Sequence, residues 1–530
     1  MRIGTGVFRE AIKAIEANRL GEEYAVEAVN CDLRTGAIVP INGAANCMTA
    51  PAGAERIHYW KGKIACFTQR DVSVLKHPNN DNLVWAGSDY GQHPRQASET
   101  QFFAGAQIGL PASSDRFGVD EPAAAPVVRV NGTAGTDLLR STAYRFSAVA
   151  STGEESGLSL PSANIDVYEG QQAKITQFWT GAVPSGVSKI RVYRAETDQY
   201  GAAAWMYVTE LDATVANFID TVEDTEEVAA TDGHLPPVGF KGLADIGNGI
   251  MVGWNGRDVH LSDVGFPTAY PVKYRLRTNS DVVGVGVVGG FGIVLTQGKP
   301  YLLSAQTPES ATFTELQFSA PCLSMRSICA TELGVVFAST DGLMQISSGG
   351  VATNLTDGIL RREQWQALDP SNMICAVHDG KIYGFAYGTA QAWMLDPKKQ
   401  GIVDLLLVNP VSDAHVDDEG DRLLVLDQNE SVGGFAESAN PLSFRWKSAE
   451  WLFSRAVSLS VARIIGDQSA DHPATLKVWR DGVLIFTKTG IADTRPFMLP
   501  GGLYMRAQYE ISGTAKVRVV HLASDVSELD

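Results

Sequence analysis

The 530-residue chain is poor in charge. Asp, Glu, Lys and Arg supply 19% of it against 45% hydrophobic residues, a balance that excludes a disordered chain. Cations are the scarcer sign: 43 Lys and Arg face 60 Asp and Glu, which leaves a net charge of −17. Duplex affinity comes largely from Lys and Arg displacing counterions, so the surface as a whole is not a phosphate-binding one. No uncharged run of about twenty apolar residues occurs, and no membrane insertion is expected. The six cysteines, Cys31, Cys47, Cys66, Cys322, Cys329 and Cys375, form no CxxC pair and read as reduced, mostly buried thiols made in a cytosol. The Asn-x-Ser/Thr matches at Asn131, Asn354 and Asn429 then carry no glycosylation meaning. Phe8, Arg9, Glu10, Lys13 and Glu16 leave no apolar core near the start for a secretory signal.

Motifs of chemistry are scarce as well. The nine His fall into no HxH, HExxH or His/Cys ligand spacing, which leaves a zinc site unsupported. There is no GxSxG elbow and no context for an activated cysteine. Val283 to Gly290 spells GxGxxG, but Phe291 to Leu295 continues as a strand where a pyrophosphate-binding helix would have to begin. The acids at Asp413, Asp417, Asp418, Glu419 and Asp421, and at Asp220, Glu223, Asp224, Glu226 and Glu227, lack the alternating ligand spacing of a calcium loop. They read as solvated loops. No catalytic, cofactor-binding or metal residue is therefore assigned, and the chain is expected to be neither an enzyme nor a cofactor carrier. His58, His260 and His521 sit in strand patterns and read as structural residues. Trp60, Trp85, Trp254, Trp365 and Trp393 could stack a sugar, but β cores use Trp as readily.

Turns are abundant. Gly numbers 52 and Pro 23 without a three-residue period, and the length suggests about three or four domains. In the first forty residues Phe8, Ala11, Ile12 and Ile15, then Tyr24, Ala25 and Ala28, recur at helical spacing around a break at Asn18 to Gly21. This predicts short helices in need of a partner surface, followed by a first strand from Cys31 to Ile41. From Ile57 onward short strands alternate with polar turns: Lys61-Gly62-Lys63, Asn255-Gly256-Arg257, Gln297-Gly298-Lys299, Asp341-Gly342, Asp379-Gly380-Lys381, Pro397 to Gln400 and Gln428-Asn429. Steps of about 40 residues between turn glycines match a four-stranded propeller blade. A stack of β-sandwiches is the alternative, since the repeat lies in spacing and not in a shared motif.

Five segments follow. Residues 1–40 form the N-terminal segment with short helices, and 41–120 the first part of a β-propeller. Residues 121–235 are an inserted domain between the Glu121 to Pro126 linker and Leu235-Pro236-Pro237. Its Tyr144 to Val149 strand, Gly153 to Ser156 turn and closing Phe218 to Thr221 resemble a fibronectin type III or immunoglobulin-like β-sandwich. Residues 236–440 complete the propeller, and 441–530 form a C-terminal β domain. The fold class is mainly β.

Short matches dispersed along the chain resemble one family. Phe8 to Lys13, Ala28-Val29-Asn30, Leu235-Pro236-Pro237, Tyr274-Arg275-Leu276, Leu295-Thr296, Pro300-Tyr301, Asp341-Gly342-Leu343, Trp446-Lys447-Ser448, Asp481-Gly482 and Phe497 to Gly501 are similar in order to tail nozzle proteins of short-tailed bacteriophages. Lys13 departs from the pattern, where a Pro is expected. The resemblance implies a structural virion protein of the tail, made in the host cytoplasm. Its copies form a homo-hexameric ring that meets the tail adaptor and the tail fibre or spike proteins. The ring extends the DNA channel, and genomic DNA passes the lumen without sequence-specific binding. A lumen lined by acids suits that passage, because it repels phosphates. The alternative is a propeller that binds or cleaves glycans of the host surface.

Overall fold

A computed structural model of the chain describes residues 1–87, 93–197, 203–223, 225–229, 235–417 and 419–529; the side chains of residues 46, 47, 197, 203 and 226–229 also lie outside the description. The chain is mainly β: among the described residues its α-helices are the single turns Glu99–Phe103 and Arg362–Gln366. Hairpins form where the turn residues reach the left-handed region. Lys61 and Gly62 (φ 52° and 76°) join Arg56–Trp60 to Lys63–Phe67, and Asp379 and Gly380 (φ 50° and 68°) join Met373–His378 to Lys381–Ala386. Two consecutive positive φ values give the turn whose twist matches paired strands.

The chain divides into two units, one of residues 1–70, 106–110 and 318–530 and one of 71–105 and 111–317. The first holds antiparallel meanders over 329–354, 373–406 and 411–434, the last closed by Ala45–Thr49 as its fourth strand. Arg56–Trp60 and Lys63–Phe67 form a further hairpin beside Ile108–Gly109. The opening strands of these sheets stand side by side: Cys329–Thr331 next to Met373–His378, that strand next to Val411–Asp417, and Val411–Asp417 next to Arg56–Trp60.

The N-terminal segment is a correction to the sequence reading. It contains strands Arg2–Thr5 and Ala25–Val29 and no helix. Its amide donors go to distant acceptors, Phe8 N to Gly36 O, Ala11 N to Ile402 O and Ile12 N to Ala25 O, so the helical spacing of its apolar residues is met by contacts across the sheet and not by a helix. Ala25–Val29 lies between Val403–Leu406 and Phe444–Ser448. It joins the 373–406 meander to a sheet that continues through Tyr504–Gly513 and Ala474–Arg480 and ends at Val483–Ile491. Arg2–Thr5 pairs with Val517–Ala523 in a second sheet with Val461–Gly466 and Phe497–Met498. One core unites these parts, with Phe8, Ile374, Phe385, Trp446, Tyr509 and Val520 all buried.

The second unit holds a four-stranded sheet over 73–116 and meanders over 242–277 and 282–315. Between residues 127 and 229 run nine strands in three sheets, which pack Tyr144, Phe146, Ile175, Ile190 and Val192 into one core.

Candidate functional site

A buried polar cluster of the first unit lies where three of its sheets begin. Arg326 sits on the turn Met325–Ser327, which side chains hold in place: Ser324 Oγ donates to Met373 O at 2.7 Å, and Ser327 Oγ accepts from Ala338 N at 2.9 Å. The Arg326 guanidinium bonds Asp413, which is fully buried. Asp413 Oδ2 also accepts from Ile57 N at 2.9 Å, so one carboxylate ties three sheets together. The neighbouring positions carry His58 and His415, whose rings lie 4.6 Å apart. Burial first, then the guanidiniums of Arg56 and Arg326, push His415 down to about 3; burial, His415 and the same guanidiniums push His58 well below the usual imidazole range. Two neutral imidazoles beside cations cannot serve as acids near neutral pH. Burial raises the Cys329 thiol to about 12 and pushes the Cys375 thiol well above its usual range, so neither is a thiolate nucleophile there. The cluster suits a rigid junction better than a reaction centre.

Two acidic stretches differ from the solvated loops expected of them. Asp413 is the buried partner of Arg326, and Asp417, also fully buried, accepts from Gly420 N at 2.8 Å and Arg422 Nη2 at 3.0 Å. Glu419 and Asp421 are exposed, and Asp418 lies outside the described residues. Asp220 is buried too, taking bonds from Tyr144 Oη at 2.5 Å, Arg194 Nη1 at 2.7 Å and Arg140 Nη2 at 3.2 Å. Glu223 is exposed; Asp224 and the side chains of Glu226 and Glu227 lie outside the description. Burial without partners would be costly for each carboxylate, and arginines supply the partners, Arg326 and Arg194 from other parts of the chain and Arg422 from across the same hairpin. Among the described residues no group of three or more His, Cys, Asp or Glu could hold a metal ion.

The remaining candidates fall into place singly. Val282–Val288 and Phe291–Thr296 form a hairpin, so the GxGxxG spelling opens no helix. Trp60, Trp85, Trp254, Trp365 and Trp393 are all buried, which removes them as a sugar platform. Lys13 ion-pairs with Asp404 at 2.6 Å, fastening the N-terminal segment to Val403–Leu406. His77 and Glu154, both buried, link the 73–116 sheet to the 127–229 strands: His77 and Glu154 bond at 3.1 Å, and Gly118 N donates to Glu154 Oε2 at 3.1 Å. Arg326 and His415 were not singled out by sequence reasoning; one lies on the turn Met325–Ser327 and the other on strand Val411–Asp417, and no local spacing marks them.

No protein family matches the chain, and no curated protein does. Two solved structures are similar at 8% identity. The Pan2 WD40 domain of Neurospora crassa aligns over 70% of this chain and 90% of that one with a TM-score of 0.30. Kluyvelomyces marxianus Hsv2 aligns over 49% of this chain and 66% of that one with a TM-score of 0.26.

Proposed function

We propose that the chain is a structural subunit of a bacteriophage tail nozzle, its four-stranded meanders acting as blades of a β-propeller and its 127–229 strands as an inserted fibronectin III/Ig-like sandwich. One observation carries the reading. Two stretches of the resemblance that lie far apart in sequence meet in one sheet and one core: Ala28 pairs with Trp446, Phe8 meets the Trp446 ring edge-on at 4.9 Å, and Trp446 Nε1 donates to Arg9 O at 3.0 Å. Dispersed matches that outline a common framework support kinship of the whole more than matches on unrelated surfaces would. The net charge of −17 agrees with a conduit along which DNA slides. Copies are proposed to close into a hexamer, which needs head-to-tail contacts between neighbours. The same reading proposes contacts with the tail adaptor and the tail fibre or spike proteins, and a location in the virion tail. The glycan reading has lost its aromatic platform and is not favoured by any other observation.

Native mass and duplex binding test the proposal together. It expects closed hexamers whose affinity for duplex DNA at physiological salt is no tighter than the roughly 10⁻⁴–10⁻⁶ M of non-specific binding. A single chain that grips DNA tightly would contradict it.

A further inference from the structure

Two strand edges lack neighbours among the described residues and complement each other chemically. Among the described residues Val483–Ile491 ends its sheet, pairing only with Ala474–Arg480. It is nine residues long and free of Pro, and Val483 and Leu484 are 63% and 47% exposed. A long apolar edge of this kind is a template for another strand, and solvent-facing edges are ordinarily short or charged. Among the described residues Leu138–Thr142 pairs only with Ile165–Tyr168, and Leu138 and Leu139 are 53% and 62% exposed. That strand borders a cleft of about 890 Å³ lined by Arg140, Arg194, Glu196, Asp220 and Glu223; the two arginines ion-pair with Asp220 and Arg194 also with Glu196, while Glu223 is exposed. Charge matches the two sites. Residues 441–530 carry eleven Lys and Arg against nine Asp and Glu, whereas 127–229 carry seven against fourteen. Lys488 lies on the first edge, within a block that is mildly basic in an otherwise acidic chain.

We infer that strand Val483–Ile491 of one copy docks along Leu138–Thr142 of a second copy, with Lys488 directed at Glu223 at the rim of the cleft. Like ends repel or lack complementarity, so the contact is head-to-tail and each copy offers one edge of each kind. The inference rests on the ring reading, whose subunit contact it names.

Mass photometry of three proteins tests it: the full chain, the variant Val483→Asp/Leu484→Asp, and the variant Leu138→Asp/Leu139→Asp. Every substituted side chain is exposed, and circular dichroism checks that each variant keeps the parent melting curve. The unsubstituted chain should assemble, and each variant alone should be a single chain. An equimolar mixture of the two should stop at pairs, because only one intact edge of each kind remains to meet. Should the Val483→Asp/Leu484→Asp variant misfold, Lys488→Glu on the same edge replaces it and should shift half-assembly to higher concentration. Variants that assemble like the parent, or a mixture that grows beyond pairs, would overturn this contact and leave the ring reading standing. A parent chain that is single at every concentration would overturn both.

Discussion

Removing the Asp413 carboxylate strands the Arg326 guanidinium in the interior and takes the acceptor from Ile57 N. Breaking a buried pair from one side is far costlier than replacing both partners, so Asp413→Ala is expected to cost about 3–5 kcal/mol in denaturant unfolding. Arg326→Met with Asp413→Leu should recover most of that; a single-variant loss below about 1 kcal/mol would mean that solvent already screens the pair. The two histidines make a pH prediction. An unfolded histidine titrates near pH 6.5, while His415 is held at about 3 by burial and the nearby guanidiniums. Below about pH 6.5 the unfolded chain takes up a proton that the folded chain refuses, so stability is complete above that pH and falls as the solution is acidified. His415→Gln should flatten the decline in melting temperature between pH 7 and pH 5, above the range where carboxylates titrate. Equal slopes for parent and variant would contradict the assignment.

Within the strands, several glycines exist because an aromatic ring lies on them. A methyl group at Gly384 would run into Trp393 on the paired strand, one at Gly242 into Trp254, and one at Gly253 into Phe240. Gly384→Ala is therefore expected to cost about 1–3 kcal/mol through overpacking, while Gly181→Ala, with nothing within 4 Å, should be close to neutral in the same thermal unfolding series. These elements also show how far the sequence could be read. The turns at Lys61-Gly62, Asn255-Gly256, Asp341-Gly342 and Asp379-Gly380 were legible because turn chemistry is local, and all four connect paired strands. Residues 1–40 were misread because Phe8, Ala11 and Ile12 repeat at helical spacing while their backbones bond residues such as Gly36 and Ile402. Asp413, Asp417 and Asp220 were misread for a related reason: an acid in a charged run looks solvated until the fold supplies Arg326, Arg422 or Arg194.

For the whole molecule, the central claim is that this chain works as one member of a ring around a DNA path. The strongly acidic balance argues for passage over capture, and added salt, by screening the charges that pair one copy with the next, is expected to weaken assembly, read as a fall in native mass. Cryo-electron microscopy class averages of the purified chain, alone and with the tail adaptor, test the claim most directly. The account predicts closed six-fold rings with an open central channel. Uniform single copies at every concentration, persisting after the adaptor is added, would contradict it.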